Sequence, residues 1–191
     1  MKEEIPYLQE WLTLSKSGSF EKAQEIYFEK LFSSVITAFC EANQNKLPTG
    51  GTLFSMLGYS PEPIILTAKL TQPSKHVIFT NKKDEGGNYL EKHLGSDFEL
   101  VLFNQDTFQD IYLALKEQLV INPSSSVTID ITGGKKSMVA SAAIFGKDYG
   151  CRIVYVDFAE YIKELRKPMP GSEVLNVVYD PLKNQPEIFF K

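Results

Sequence analysis

Ser126-Val127-Thr128-Ile129-Asp130-Ile131-Thr132-Gly133-Gly134-Lys135-Lys136-Ser137-Met138 is the stretch that decides how this chain folds. Val127 to Ile131 reads as a short buried strand. Gly133-Gly134 closes it with a tight turn, for which glycine is suited. Lys136 to Tyr149 follows as a helix. A strand that ends in glycines and opens a helix presents the first-turn N–H groups and the positive end of the helix dipole to whatever lies outside. Lys135 and Lys136 add two charges to that field, so the turn is expected to bind phosphates.

The same alternation extends outward from this unit. Strands are expected over Thr52–Leu57, His76–Thr80, Phe98–Leu102, Val127–Ile131 and Arg152–Asp157. Helices are expected over Pro61–Leu70, Asn88–Leu94, Phe108–Val120 and Lys136–Tyr149, with Pro63 tolerated in a first turn. The strands are continuous apolar runs rather than period-two patterns, which implies a parallel sheet covered on both sides. The fold class is therefore α/β: a Rossmann-like doubly wound, mostly parallel sheet with helices on both faces and right-handed crossovers.

Residues 1–46 form a separate N-terminal helical extension. Phe20, Ala23, Ile26, Tyr27, Leu31, Val35, Ala38 and Phe39 recur at helical spacing, with Ser19 as a candidate N-cap. A shorter helix over Ile5–Ser15 carries Leu8, Trp11 and Leu12, and Ser17-Gly18-Ser19 breaks the two into a hairpin. Trp11 and the phenylalanines invite a second reading, an oligomer contact. Asn43 to Gly51 is the linker into the Rossmann-like domain, residues 52–191. Past Asp157 the pattern changes: Ala159–Leu165 is a short charged helix or loop, Val174–Tyr179 a strand, and Glu187–Phe190 a further strand. The apolar ending Ile188-Phe189-Phe190-Lys191 raises the expectation that this is the front part of a longer polypeptide.

Composition narrows the function. The net charge of −4 gives no general attraction for nucleic acid, so direct DNA binding is not expected and a polyanion must meet a local cluster. Cys40 and Cys151 lack metal-ligand spacing and read as thiols in a reducing compartment. No apolar run approaches the roughly 18 residues of a membrane span, and the N-terminus is not a signal peptide. A cytoplasmic location without membrane contact follows as the expectation. His76 and His93, the two histidines, have no carboxylate or cysteine pattern around them, so neither a metal site nor a Ser-His-Asp triad is expected. The Gly-rich fingerprints of dinucleotide and P-loop proteins are missing.

In a doubly wound sheet, ligands sit outside the carboxyl ends of the strands near a topological switch point. Two strand ends carry unusual loops: Leu57-Gly58-Tyr59-Ser60-Pro61-Glu62-Pro63 and Asp130 to Lys136. The first offers a glycine for close approach, an aromatic face, a hydroxyl and a carboxylate. The second offers Thr132, Gly133, Gly134, Lys135 and Lys136. Each residue also has an ordinary explanation: Tyr59 as a cap on the sheet, Glu62 as a solvated first-turn residue, Asp130 as a partner of the following turn, the lysines as surface charges. Two such loops on one sheet favour a binding site.

The combination resembles a known family. Residues 130–138 are similar to the D-x-T-G-G-[TS]-K-x-M signature of CARF domains, the CRISPR-associated Rossmann-fold sensors. Leu57–Pro63 resembles the G-x-S-P-E-P loop after that family's first strand. The resemblance covers about Thr52 to Tyr179; Pro168 to Glu173 is also similar to a stretch that precedes an effector module in some members. It implies a homodimer that binds cyclic oligoadenylate across its two-fold axis, the tetra-adenylate ring ahead of the hexa-adenylate, in type III CRISPR antiviral defence. By carry-over, Thr132, Gly133, Gly134 and Lys136 meet phosphates and ribose, while Gly58, Tyr59, Ser60, Pro61 and Glu62 line the base pocket. Lys135 stands where the family has Thr or Ser; it either adds a phosphate contact or points away. The effector lies in a longer chain or a separate partner, and no cofactor or metal is implied. Some members also cleave the ring without a metal; Thr132, Lys135, Lys136 and Ser60 are the candidates for that activity.

Overall fold

The computed structural model describes residues 5–81, 87–103, 105 and 107–183. In chain order its elements begin with the helices α1 (Leu8–Lys16), α2 (Phe20–Ile26) and α3 (Phe32–Asn43), the last two joined by a π-helical turn, Tyr27–Leu31. β1 (Thr52–Met56), α4 (Glu62–Thr71), β2 (Lys75–Thr80), α5 (Gly87–Leu94), β3 (Glu99–Leu102) and α6 (Phe108–Ile121) follow. The chain continues through β4 (Val127–Asp130), α7 (Lys136–Asp148), β5 (Arg152–Phe158), β6 (Tyr161–Ile162), β7 (Lys167–Pro168) and β8 (Glu173–Tyr179). These elements divide into two compact units, one of the chain up to Leu47 with Asp157–Val174, the other of Pro48–Val156 with the chain from Leu175.

In the first unit the helical hairpin is present, with one change. The helix expected over Phe20–Ala42 is interrupted by the π turn, which adds a residue to one turn and rotates the apolar face. Phe28, Leu31 and Phe32 are all buried as a result, and the Tyr27 ring stacks on Phe32 at 5.6 Å. Trp11 packs into the same cluster, 6.2 Å from Tyr27, and is only 5% exposed. The reading of Trp11 as an oligomer contact is thereby overturned, because the indole is spent on the unit's own core. Of the phenylalanines in this stretch only Phe20 is open, with the Lys167 ammonium 5.7 Å from its ring centroid. Ser19 precedes α2 but makes no side-chain cap bond. Residues 159–165 are neither helix nor plain loop: β6 pairs antiparallel with β7, and Arg166 takes a left-handed conformation (φ 50°) at the turn.

The second unit carries a six-stranded sheet in the order β3-β2-β1-β4-β5-β8. Every pairing from β3 to β5 is parallel. At the β8 edge, Ala159 N–H donates to the Ser172 carbonyl at 2.8 Å and the Arg152 guanidinium meets Asp180 at 3.5 Å. The start of β8 thus lies at the end of β5, so the edge strand is antiparallel. The expected doubly wound, mostly parallel sheet is what forms. The further strand expected at Glu187–Phe190 lies outside the described residues.

Side chains alternate across the strands, and the two faces of the sheet differ. Phe54, Met56, Val77, Phe79, Val127, Ile129 and Ile153 point to one side and pack with Ile111 and Leu115 of α6 and Met138, Ala142 and Phe145 of α7. The alternate positions include Ser55, His76, Thr128 and Asp130, all buried. Among the described residues no helix is long and apolar enough to cross a membrane.

Two buried titratable groups give stability an opposed pH dependence. Burial of Glu173 pushes its carboxyl up from 4.5 to about 7, against the opposing effect of the Glu173 and Gly171 backbone N–H groups. Burial pushes the His76 imidazole down from 6.5 to about 3. Folded Glu173 keeps a proton that the unfolded chain releases, so its contribution is present below pH 4.5 and lost as pH rises to about 7. Folded His76 refuses a proton that the unfolded chain accepts, so stability instead falls as pH drops from 6.5 to about 3. Glu173→Gln should therefore gain stability relative to the parent as pH rises between these Glu173 limits, by up to roughly 3 kcal/mol. Urea denaturation at stepped pH measures that gap, and a pH-independent gap would clear Glu173 of the role.

Candidate functional site

β1 and β4 are parallel neighbours, with Ser55 opposite Asp130 in register. The chain leaves β1 for α4 and β2 on one side of the strand order, and leaves β4 for α7 and β5 on the other. This is the topological switch point of the sheet, and both loops singled out in the sequence emerge there.

The loops meet through their backbones. A Cβ on Gly58 would lie 2.6 Å from the Gly134 nitrogen and 3.1 Å from its Cα. A Cβ on Gly133 would run into the Met56 carbonyl oxygen and lie 3.2 Å from the Gly58 nitrogen. Both glycines are required by space. Gly134 is required by conformation as well, since its φ of +87° belongs to the left-handed region. The glycine pair and the single upstream glycine are thus two halves of one packed contact.

Around it, the candidate residues fall into exposed and buried sets. Tyr59 is 81% exposed, so it does not cap the sheet. Ser60 is exposed and Pro61 buried. Glu62 opens α4 half-buried rather than solvated. Its Oε2 is buried without a hydrogen-bond partner, and burial pushes the carboxyl above its usual range, partly countered by its own N–H. Lys135 and Lys136 are both exposed. Lys135 precedes α7 with an extended backbone, and its N–H donates to the Met138 sulfur at 3.5 Å, a weak acceptor.

Thr132 is anchored from below. Its N–H donates to Asp130 Oδ1 at 2.8 Å, its hydroxyl donates to the same oxygen at 2.5 Å, and Val156 N–H donates to the hydroxyl at 2.8 Å. Asp130 is fully buried. Burial raises its pKa, against the lowering effect of Thr132 and, more weakly, of the Thr67 hydroxyl on α4. That Thr67 approach falls short of hydrogen-bond geometry, leaving Thr67 Oγ1 and Asp130 Oδ2 both without a partner. Nearby in the sheet, Ser55 Oγ lies 3.0 Å from His76 Nε2. Sequence reasoning passed over Thr67, Val156 and the Ser55–His76 pair. The available signal was a polar residue at the same alternate position of neighbouring strands: Ser55, His76, Thr128 and Asp130.

A half-buried glycine contact at the switch point, with two exposed lysines on the turn beside it, is the candidate site of this Rossmann-like domain. No model of a known protein family matches the chain. It is 30% identical over 131 residues to the CRISPR system endoribonuclease Csm6 of Thermus thermophilus, a match that covers 65% of this chain and 28% of that protein. The chain spans less than a third of this longer relative. Among solved structures it is similar to Enterococcus italicus Csm6 bound to cyclic hexa-2′-fluoro-hexa-dAMP, at 14% identity and a TM-score of 0.44, covering 59% of this chain and 35% of that one. It is also similar to Can2 from Sulfobacillus thermosulfidooxidans in complex with cyclic tetra-adenylate, at 18% identity and a TM-score of 0.48, covering 56% and 32%.

Gly133→Ala should destabilise the protein by about 1–3 kcal/mol through overpacking against the Met56 carbonyl. Gly150 has a φ of +63° but open space around its Cβ position, so Gly150→Ala should show only the backbone strain, about 1–2 kcal/mol, and leave the turn intact. Thermal and urea unfolding of the two variants, with amide spectra of residues 56–58, distinguishes them. An undisturbed Gly58 amide in Gly133→Ala would mean the loops do not depend on this contact.

Proposed function

We propose that this chain is a homodimeric, cytoplasmic sensor of cyclic oligoadenylate in type III CRISPR antiviral defence. The carrying observation is the backbone contact of Gly58 with Gly133 and Gly134. The loops that it joins carry the exposed Tyr59 and two exposed lysines at the same end of the sheet. The relationship to Csm6, a CRISPR system endoribonuclease, supports the same reading. Tyr59 offers an aromatic side chain on which the π-face of adenine can stack. Gly58, Ser60, Pro61 and Glu62 complete the base side of the site. The Gly133–Gly134 backbone, Lys135 and Lys136 take the phosphates, because charged hydrogen bonds to phosphate oxygens are the strong ones. A ring ligand with internal symmetry suits a two-fold interface to which each protomer gives the same loops. The tetra-adenylate ring is preferred to the hexa-adenylate, and binding regulates an effector carried on the same polypeptide or on a separate partner.

The alternative reading, a metal-independent ring nuclease, draws on the two exposed lysines at the turn. They would stabilise the negative charge of the phosphorane as a ribose 2′-OH attacks the adjacent phosphodiester. The 5′-oxygen leaves and a 2′,3′-cyclic phosphate remains. Incubation of labelled ring with the protein in EDTA separates the two readings: linear product with a cyclic phosphate end marks the nuclease, intact ring the sensor.

Calorimetry with cyclic tetra- and hexa-adenylate tests binding itself. Micromolar or tighter binding of one ring is expected, with Lys136→Ala weakening it by about 1.5–3 kcal/mol for a lost charged hydrogen bond. If neither ring binds, the sensor reading fails. If binding survives Lys136→Ala undiminished, the phosphates lie elsewhere.

A further inference from the structure

Thr132 stands half-buried at the end of β4, where the glycine turn begins, and its hydroxyl is already engaged on two sides. A threonine hydroxyl has one proton and two lone pairs. The proton goes to Asp130 Oδ1, and one lone pair receives Val156 N–H. Asp130 Oδ1 also receives Thr132 N–H, so the carboxyl grips this residue by both its backbone and its side chain. Asp130 is 0% exposed and cannot turn away to release the proton without leaving its buried position in β4. Phosphate oxygens are acceptors, and Thr132 has nothing left to donate to them. One lone pair remains, which meets only a donor.

We propose that Asp130 is a positioning residue that fixes Thr132 as an acceptor-only group, so that this strand end reads a ribose hydroxyl and leaves phosphate to the glycine backbone and the lysines. The part concerning ribose rests on the ligand reading given under Proposed function; the Asp130–Thr132–Val156 arrangement does not. In a nucleotide ring the donor that lies next to each phosphate is the ribose 2′-OH, since the bridging and non-bridging phosphate oxygens only accept. The contact would therefore distinguish a ribonucleotide ring from its 2′-deoxy counterpart. The second consequence is mechanical. Through Thr132 the carboxyl of β4 ties the start of the glycine turn to the amide of Val156 in β5, which holds the turn at one height above the sheet.

The test combines two readouts on the whole chain. Amide hydrogen exchange of Thr132 and Val156 reports the arrangement, and calorimetry with cyclic oligoadenylate and its 2′-deoxy analogue reports the preference. The parent protein should slow both amides and favour the ribose ring by about tenfold, the worth of one hydrogen bond. Thr132→Ser, which keeps the hydroxyl, should preserve both properties. Thr132→Val should free the Val156 amide and bind the two rings equally. Asp130→Ala should free both amides, and Asp130→Asn, which retains an acceptor at the Oδ1 position, should recover most of their protection. Two results overturn the proposal: a ribose preference that persists in Thr132→Val, or a Thr132→Val loss that is equal for both rings and so marks a phosphate donor. Should neither ring bind the parent protein, the ligand reading falls. The exchange pattern then decides the Asp130 arrangement alone: unprotected Thr132 and Val156 amides in the parent would refute it.

Discussion

Two parallel strands that lie side by side, and whose connections run to opposite ends of the sheet, leave a crevice between the loops above them. In this protein that crevice is closed at its floor by backbone packed on backbone. Gly58 sits against Gly133 and Gly134 with no room for a Cβ on the first two. The strand register sets this up, because Ser55 stands opposite Asp130 and the chains leaving β1 and β4 therefore reach the same height. Any side chain at Gly58 or Gly133 would push the loops apart and separate the aromatic and hydroxyl groups of one from the cations of the other. The candidate site thus depends on an absence of side chains at its floor, and the candidate residues stand one or two positions further along.

Beneath that floor the sheet has two different undersides. Toward α6 and α7 it is apolar: Phe54, Phe79 and Phe145 are fully buried there, and such a face supplies stability through area removed from water. The other set of alternate positions holds Ser55, His76, Thr128 and Asp130. Buried polar groups cost stability unless they are paired, and they are paired unevenly. Ser55 and His76 satisfy one another, whereas Asp130 spends one oxygen on Thr132 and leaves the other without a partner. A purely structural strand would carry valine or isoleucine at such a position. The carboxyl is explained by what it holds above it.

How much of this was legible in the sequence follows from the range of the interactions involved. The strands and helices of the sheet domain depend on local apolar runs and glycine breaks, and they form within a residue or two of where those signals put them. Gly58 and the Gly133-Gly134 pair were each visible as turn residues. That they touch depends on the pairing of β1 with β4, 75 or so positions apart in sequence, which no local pattern encodes. The π turn at Tyr27–Leu31 escaped because an added residue in one turn leaves the helical periodicity on either side unchanged. The β6–β7 hairpin has strands of two residues, too short to show any alternation, and its charged turn imitates a helix. Trp11 showed that an aromatic on a helix identifies an apolar face but not which partner covers it; here the partner is Tyr27 of its own unit.

The local electrostatics of the turn run against the charge of the whole chain. The net charge is −4, and the two loops carry two carboxyls, Asp130 on the loop of Lys135 and Lys136 and Glu62 on the other. An ionised carboxylate under an anion site would repel the ligand that the lysines attract. Burial acts against that outcome at both positions, since it raises the pKa of Asp130 and of Glu62 and so favours their neutral forms. That shift is compatible with the grip on Thr132: a proton on Oδ2, the oxygen that has no partner, would leave Oδ1 free to accept from both groups of Thr132. Desolvation thereby works against negative charge at both carboxyls. The exposed lysines then set the sign of the field at the mouth of the site, in a protein whose surface as a whole does not attract anions.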